Sequence, residues 1–170
     1  MLIDGVGMKT IIINDNKLSI DNINNKTVRV KVFLVNNNNE VLLAYNNYTY
    51  QLLGGHVEPN ESRNSTIVRE IKEEAGIDIN FSGEPFLEIK DYNKDYFSDI
   101  FYYRIVSNEM PNKEKTNYDF LESQTEFQLG YVPIDDLNKF LNENVKNSMI
   151  DVSIYKEMSL ALTEYNKIYG

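Results

Sequence analysis

Apolar and polar residues alternate over Thr27–Val35. Val28, Val30, Val32 and Leu34 fall on one face, and Arg29, Lys31 and Phe33 on the other. A period of two is that of a β-strand with one buried face. The run Asn36–Asn39 has turn chemistry, and Glu40–Tyr45 reads as the returning strand of a hairpin. Thr49–Leu53 is a third short strand, broken by Gly54-Gly55. Upstream, Thr10–Ile13 and Lys17–Ile20 read as short strands around Asn14-Asp15-Asn16.

The period then changes. From Glu61 or Ser62 to Ala75, the residues Ile67, Val68, Ile71 and Ala75 recur at helical spacing, and Gly76 supplies a stop. Pro85–Tyr92 and Phe97–Val106 are rich in aromatic and β-branched residues and read as paired strands. Ser107–Gln124 is polar and reads as a long loop, followed by a strand over Glu126–Val132. Pro133 opens a helix near Ile134–Leu141. The last helix runs from Met149 to about Ile168, with Ile150, Ile154, Met158, Ala161, Leu162 and Tyr165 as its buried face. Strands, helix, strands, helices predict an α+β fold, an α/β/α sandwich with a mixed sheet between helices.

The length of 170 residues fits a single domain over 1–170. Residues 1–9 read as an N-terminal extension, and either Met1 or Met8 is compatible with the natural start. No apolar run is long enough to span a bilayer, and MLIDGVGMKT lacks the pattern of a signal peptide. With no cysteine there are no disulfides, thiolate metal sites or Cys nucleophile, and the composition suits the cytoplasm. The net charge of −9, without a cluster of Lys and Arg, disfavours duplex nucleic acid as a partner. A small anionic substrate fits only if a divalent cation neutralises an acidic site. A homodimer is compatible with the sequence.

That acidic site has a candidate. Glu70, Glu73 and Glu74 stand at i, i+3 and i+4, on one helical face. Like charges there repel, so helix stability does not explain them, whereas hard oxygen ligands at that spacing suit Mg²⁺, with Mn²⁺ as a substitute. Arg69 is placed to orient a carboxylate, and Glu61 lies at the helix start, where negative charge is favoured. From Gly55 the chain matches G-x5-E-x7-R-E-U-x-E-E-x-G-U, with U a bulky aliphatic, through Gly55, Glu61, Arg69, Glu70, Ile71, Glu73, Glu74, Gly76 and Ile77. A chance match is on the order of one in ten million at ordinary residue frequencies.

This segment resembles the Nudix box, without a departure. YQLLGGHVEPNES resembles the family's approach to the box, with Leu53 where Pro is frequent. EFQLGYVPIDDL resembles a later strand and Pro-led helix, with Tyr131 where Trp is frequent. The resemblance covers roughly residues 27–141 and leaves the last helix outside. It implies that Glu70, Glu73 and Glu74 are metal ligands, with the backbone carbonyl of Gly54 or Gly55 as a further one. It also implies that Arg69 orients the ligand carboxylates and that Glu61 is a box-stabilising or outer-metal carboxylate. A general base from the later loop is assigned to Glu126, with Glu122 in reserve. Gly54, Gly55 and His56 are candidate substrate contacts. His56, the single histidine, reads first as a plain surface-loop residue and second as a phosphate or substrate contact.

The implied activity is Mg²⁺-dependent hydrolysis of the diphosphate bond in a nucleoside diphosphate linked to a group X. The competing reading is a nucleotide-sensing module that does not hydrolyse. An isoprenoid diphosphate isomerase on a related fold would need a Cys. The tyrosine-rich stretch Tyr92, Tyr96, Phe97, Phe101, Tyr102 and Tyr103, and Tyr45, Tyr48 and Tyr50, read either as strand core or as a stacking surface for a base.

Overall fold

A computed structural model describes residues 7–46, 49–118, 127–145 and 149–170. The strands are β1 (Lys9–Ile13), β2 (Lys26–Val35), β3 (Glu40–Asn46), β4 (Thr49–Leu52), β5 (Leu87–Tyr92), β6 (Phe97–Val106) and β7 (Gln128–Pro133). The α-helices among the described residues are α1 (Arg63–Ala75), α2 (Leu137–Asn144) and α3 (Met149–Tyr169). The sheet order is β1-β5-β6-β2-β3-β4, with β7 on the other edge of β3. Pairing is mixed: β1 with β5 and β2 with β6 are parallel, and β5 with β6, β3 with β4 and β3 with β7 are antiparallel. The fold is α+β, a mixed sheet between helices.

β2 is the axis of the molecule. β6 runs along its full length, whereas β3 touches it only at Val35–Val41. Its remaining edge is taken by the chain just after β4: Val32 N–H donates to the Leu53 carbonyl, Val30 N–H to the Gly55 carbonyl and Val57 N–H to the Val28 carbonyl, each at 2.9 Å. Gly54-Gly55 therefore lies against Arg29–Lys31.

The expectation that β2 is buried on one face is corrected. Val30–Val35 is buried on both faces, Lys31 and Phe33 included. The reason is tertiary. On one face Val30, Val32 and Leu34 pack with Ile67, Ile71 and Ala75 of α1. On the other, Phe33 and Val35 pack with Leu137 and Leu141 of α2 and with Tyr155, Met158, Ala161 and Tyr165 of α3. The second correction concerns Lys17–Ile20, which is not a strand. The Asn14 side chain satisfies Leu18 twice, accepting from its N–H at 2.8 Å and donating to its carbonyl at 2.9 Å. That local bonding replaces a ladder, and a 3₁₀ turn follows at Ile20–Asn22. The Asn36–Asn39 turn is as expected, with Asn36 Oδ1 accepting from the N–H groups of Asn38 and Glu40 at 3.0 Å. Pro133 leads into a 3₁₀ turn, Ile134–Asp136, before α2 begins.

The aromatic strands resolve as core. Tyr102 and Tyr103 are buried, and Phe101 lies under the Arg63 guanidinium at 4.0 Å. Tyr45 and Tyr50 pack on each other, with ring centroids 4.7 Å apart, while Tyr48 falls outside the described residues. Among the described residues no helix is long and apolar enough to cross a membrane.

One buried charge sits between α3 and the sheet. Glu157 is 4% exposed, beside the buried Asp91 of β5, with Arg29 Nη1 at 3.9 Å. Burial pushes its carboxyl up to about 7, with Arg29 opposing and Asp91 adding to the rise. A folded-state value above the unfolded one gives stability that is complete at low pH and fades as pH rises through the folded value. Thermal midpoints followed by circular dichroism are therefore expected to fall from about pH 5 to about pH 8, and Glu157→Gln is expected to lose that component. An unchanged pH slope in the variant would refute this origin.

Candidate active site

α1 is delimited by its own sequence. Ser62 is the N-cap, its Oγ accepting from Ser65 N–H at 3.1 Å. Gly76 closes the helix in the left-handed region at φ 66°, its N–H donating to the Lys72 carbonyl at 2.9 Å. Ile67, Ile71 and Ala75 face the sheet. The helix is thereby held with Glu70, Glu73 and Glu74 beside the glycine stretch that borders β2.

Arg69 binds this segment together. Its Nε and Nη2 grip the two Glu61 oxygens at 2.9 and 3.0 Å, Nη2 also reaches the His56 carbonyl at 3.1 Å, and Nη1 donates to Glu70 at 2.9 Å and Glu73 at 3.0 Å. The Thr66 hydroxyl adds a bond to Glu61 at 2.7 Å, and Glu58 N–H another at 3.1 Å. Glu61 is thus saturated as an acceptor, and the Arg69 bonds, foremost, hold its carboxyl down to about 2. Its place is that of a brace for the loop.

The three other carboxylates differ. Glu74 is buried and accepts the Gly54 N–H at 2.9 Å. Glu70 lies against Gly55, and burial raises its pKa, with Arg69 opposing. Glu73 is the most open of the Arg69 partners, its side chain 30% exposed. Gly54, at φ 130°, has no room for a side chain, since a Cβ would run into the Val30 carbonyl; a Cβ on Gly55 would displace the Glu70 carboxylate. Among the described residues no three acidic or histidine side chains already converge as a metal cage. Arg69 draws Glu70 and Glu73 onto one nitrogen, and Glu74 is turned to Gly54.

These acids form one wall of a cleft of about 450 Å³. Arg29, Lys31 and Gln51 of the sheet also line it, as do Asn117 and Tyr118. The Asn117 N–H donates to the Glu73 carbonyl at 3.0 Å, which ties the later loop to α1. His56 also lines the cleft, and partial burial, then Arg29 and Lys31, hold its pKa below the usual value. A hollow of similar size behind α1, about 440 Å³, is walled by Val68, Ile77, Ile79 and Phe81, and its one acid, Asp78, is already paired with Lys72 at 2.6 Å.

The model of the NUDIX domain matches residues 25–152. The chain belongs to the Nudix family. Its class is that of a Nudix pyrophosphohydrolase. Solved structures agree on the fold: a UDP-X diphosphatase superposes with a TM-score of 0.53 at 15% identity, covering 86% of this chain and 66% of that one. The Escherichia coli ORF135 protein gives 0.50 at 20% identity, covering 68% and 79%. A Nudix hydrolase from Clostridium perfringens gives 0.46 at 22%, covering 82% and 98%. A comparison with curated proteins gives no match.

Of the sequence-derived candidates, the structure brings Gly54, Gly55, His56, Arg69, Glu70, Glu73 and Glu74 to this Nudix cleft. Glu126 and its reserve Glu122 lie outside the described residues. Arg29, Lys31, Gln51, Asn117 and Tyr118 were not foreseen. Arg29 and Lys31 alternating with Val28, Val30 and Val32 were a signal for the first two, read instead as an outward face.

Glu61→Gln is expected to destabilise the protein by roughly 1.5–3 kcal/mol in urea unfolding near neutral pH, the scale of lost bonds to a charged partner. Because the Glu61 pKa is depressed, its contribution is present above the ordinary carboxylate range and disappears as pH falls through about 2. A change near zero at neutral pH would show that the brace is dispensable.

Proposed function

We propose that this Nudix chain hydrolyses the diphosphate bond of a nucleoside diphosphate linked to another moiety X, with Mg²⁺ held by Glu70, Glu73, Glu74 and the Gly54 carbonyl. The observation that carries this reading is that three carboxylates of one helix line a single cleft together with two cations. The donor set is hard oxygen, which suits Mg²⁺, or Mn²⁺ in its place. Gly55 leaves open the space into which Glu70 projects. The Gly55 carbonyl already accepts Val30 N–H, which favours Gly54 as the backbone ligand.

When bound, the cation would polarise phosphoryl oxygens and make water a better nucleophile. The side chains do the rest. Arg69 Nη1, shared between Glu70 and Glu73, keeps the two carboxylates side by side, where they would hold the cation, and its bonds to Glu61 are separate from that pair. The Gly54 N–H fixes the Glu74 carboxylate from behind. Glu126 is the proposed base for the attacking water, with Glu122 in reserve. No covalent intermediate is required. The net charge of −9 favours a small nucleotide over a nucleic acid, and the absence of Cys suits the cytoplasm.

The test is a panel of nucleoside diphosphate derivatives incubated with Mg²⁺ and assayed for products. Turnover to a nucleoside monophosphate and a phosphorylated fragment is expected for at least one. Tight nucleotide binding without turnover across the panel would establish a sensor instead. Glu73→Gln is expected to lower kcat by orders of magnitude with an unchanged circular dichroism spectrum, and wild-type turnover in that variant would remove Glu73 from the metal site.

A further inference from the structure

We infer that Arg29 and Lys31 form an anion subsite that grips the phosphate group lying away from the three carboxylates, so that the cleft selects ligands with two separate anionic groups. This rests on the diphosphate reading above and extends it to the cations of β2.

The first argument is placement. Arg29 and Lys31 stand two residues apart on β2 and both line the cleft. The segment beside them, Gly54-Gly55, has no side chains and is bonded to β2 through Val30. A ligand in this cleft has both the carboxylates of α1 and the two cations within its lining. The volume of about 450 Å³ is in the range of small-molecule sites.

The second argument is energetic. Lys31 is 7% exposed, and burying an ammonium is costly unless an anion compensates. Its Nζ instead donates to neutral acceptors, the Leu52 carbonyl at 3.1 Å and the Gln51 side chain at 3.4 Å. An ammonium has three donors, and these acceptors use two. Burial, then the nearby Arg29, lowers the Lys31 pKa to about 8, with Glu74, Glu157 and Glu70 opposing. Arg29 has a carboxylate near it, Glu157 at 3.9 Å, but that acid is itself pushed up to about 7 and carries a reduced charge near neutrality. Two like charges on one strand face repel. A phosphate group would offer Lys31 a charged acceptor in place of the neutral ones its ammonium now holds.

The assignment separates the carboxylates from the cations experimentally. The full chain is titrated with Mn²⁺ alone, followed by electron paramagnetic resonance, and with imidodiphosphate in the presence of Mg²⁺, followed by calorimetry. Imidodiphosphate stands for the diphosphate and resists cleavage. Wild-type protein is expected to bind both. Lys31→Met, close to Lys in length, is expected to weaken imidodiphosphate binding at least roughly tenfold, the scale of a charge-assisted bond, without weakening Mn²⁺ binding, since it removes a cation near Glu70 and Glu74. Lys31→Arg is expected to restore most of the loss. Arg29→Gln, at a side chain 18% exposed, carries the same test at the less buried position. Imidodiphosphate binding as tight as wild type in Lys31→Met and Arg29→Gln overturns the inference, as does Mn²⁺ binding by wild-type protein that takes up no imidodiphosphate. Failure of wild-type protein to bind Mn²⁺, with imidodiphosphate still held through Lys31, would instead overturn the metal reading and leave the subsite standing.

Discussion

The Arg69 guanidinium is the contact on which the acidic cleft depends. Its planar fork presents donors in fixed directions, and it spends them on Glu61, Glu70, Glu73 and the His56 carbonyl. One side chain thereby connects the loop after β4, the start of α1 and the acids on its second and third turns. Without it, Glu70 and Glu73 would stand side by side with no cation between them. With it, the two carboxylates are held together by bonds to one nitrogen. Glu61 is the part of this network that no metal needs to disturb, because both its oxygens are engaged by Arg69 and by local donors.

The sheet supplies the other half. β2 is buried on both faces by helices that belong to different parts of the chain, and its edge is closed by the segment Leu53–Val57. This fixes the distance between α1 and the side chains of Arg29 and Lys31. Placing two cations in that position works against stability, since Lys31 is dehydrated and Glu157 behind Arg29 is buried as well. Local conflicts of this kind are expected where a structure serves binding instead of folding. Glycine at 54 and 55 serves close approach: the first lies against the Val30 carbonyl and the second against the Glu70 carboxylate.

The agreement between sequence and structure follows the range of the interactions. α1 was legible because its stripe Ile67, Ile71 and Ala75, its cap Ser62 and its stop Gly76 act within a few residues of each other. The pairing of β5 with β6 was legible from composition and nearness along the chain. Lys17–Ile20 was misread because one side chain, Asn14, satisfies the backbone in a way that apolar periodicity does not register. Val68 was assigned to the buried stripe and instead borders the open hollow behind α1, while Thr66 and Glu74 are buried in its stead. The aromatic residues of β5 and β6 were ambiguous between core and base stacking, and packing against the helices decided for core.

By itself the sequence determined the acidic motif, its helical register and the family to which the chain belongs. Carboxylates at i, i+3 and i+4 share a face through helix geometry alone, so their proximity needs no tertiary information. Only the tertiary structure decided what joins them in the cleft. Arg29 and Lys31 lie some forty residues away in the chain and reach the cleft because the segment after β4 returns along β2. Tyr118 and Asn117 arrive from the opposite direction, held by a bond to the Glu73 carbonyl. A periodic pattern marks which face of a strand is polar, but not whether that face meets water or lines a charged cleft. That depends on long-range pairing, and here it turned two apparently surface cations into one side of the cleft.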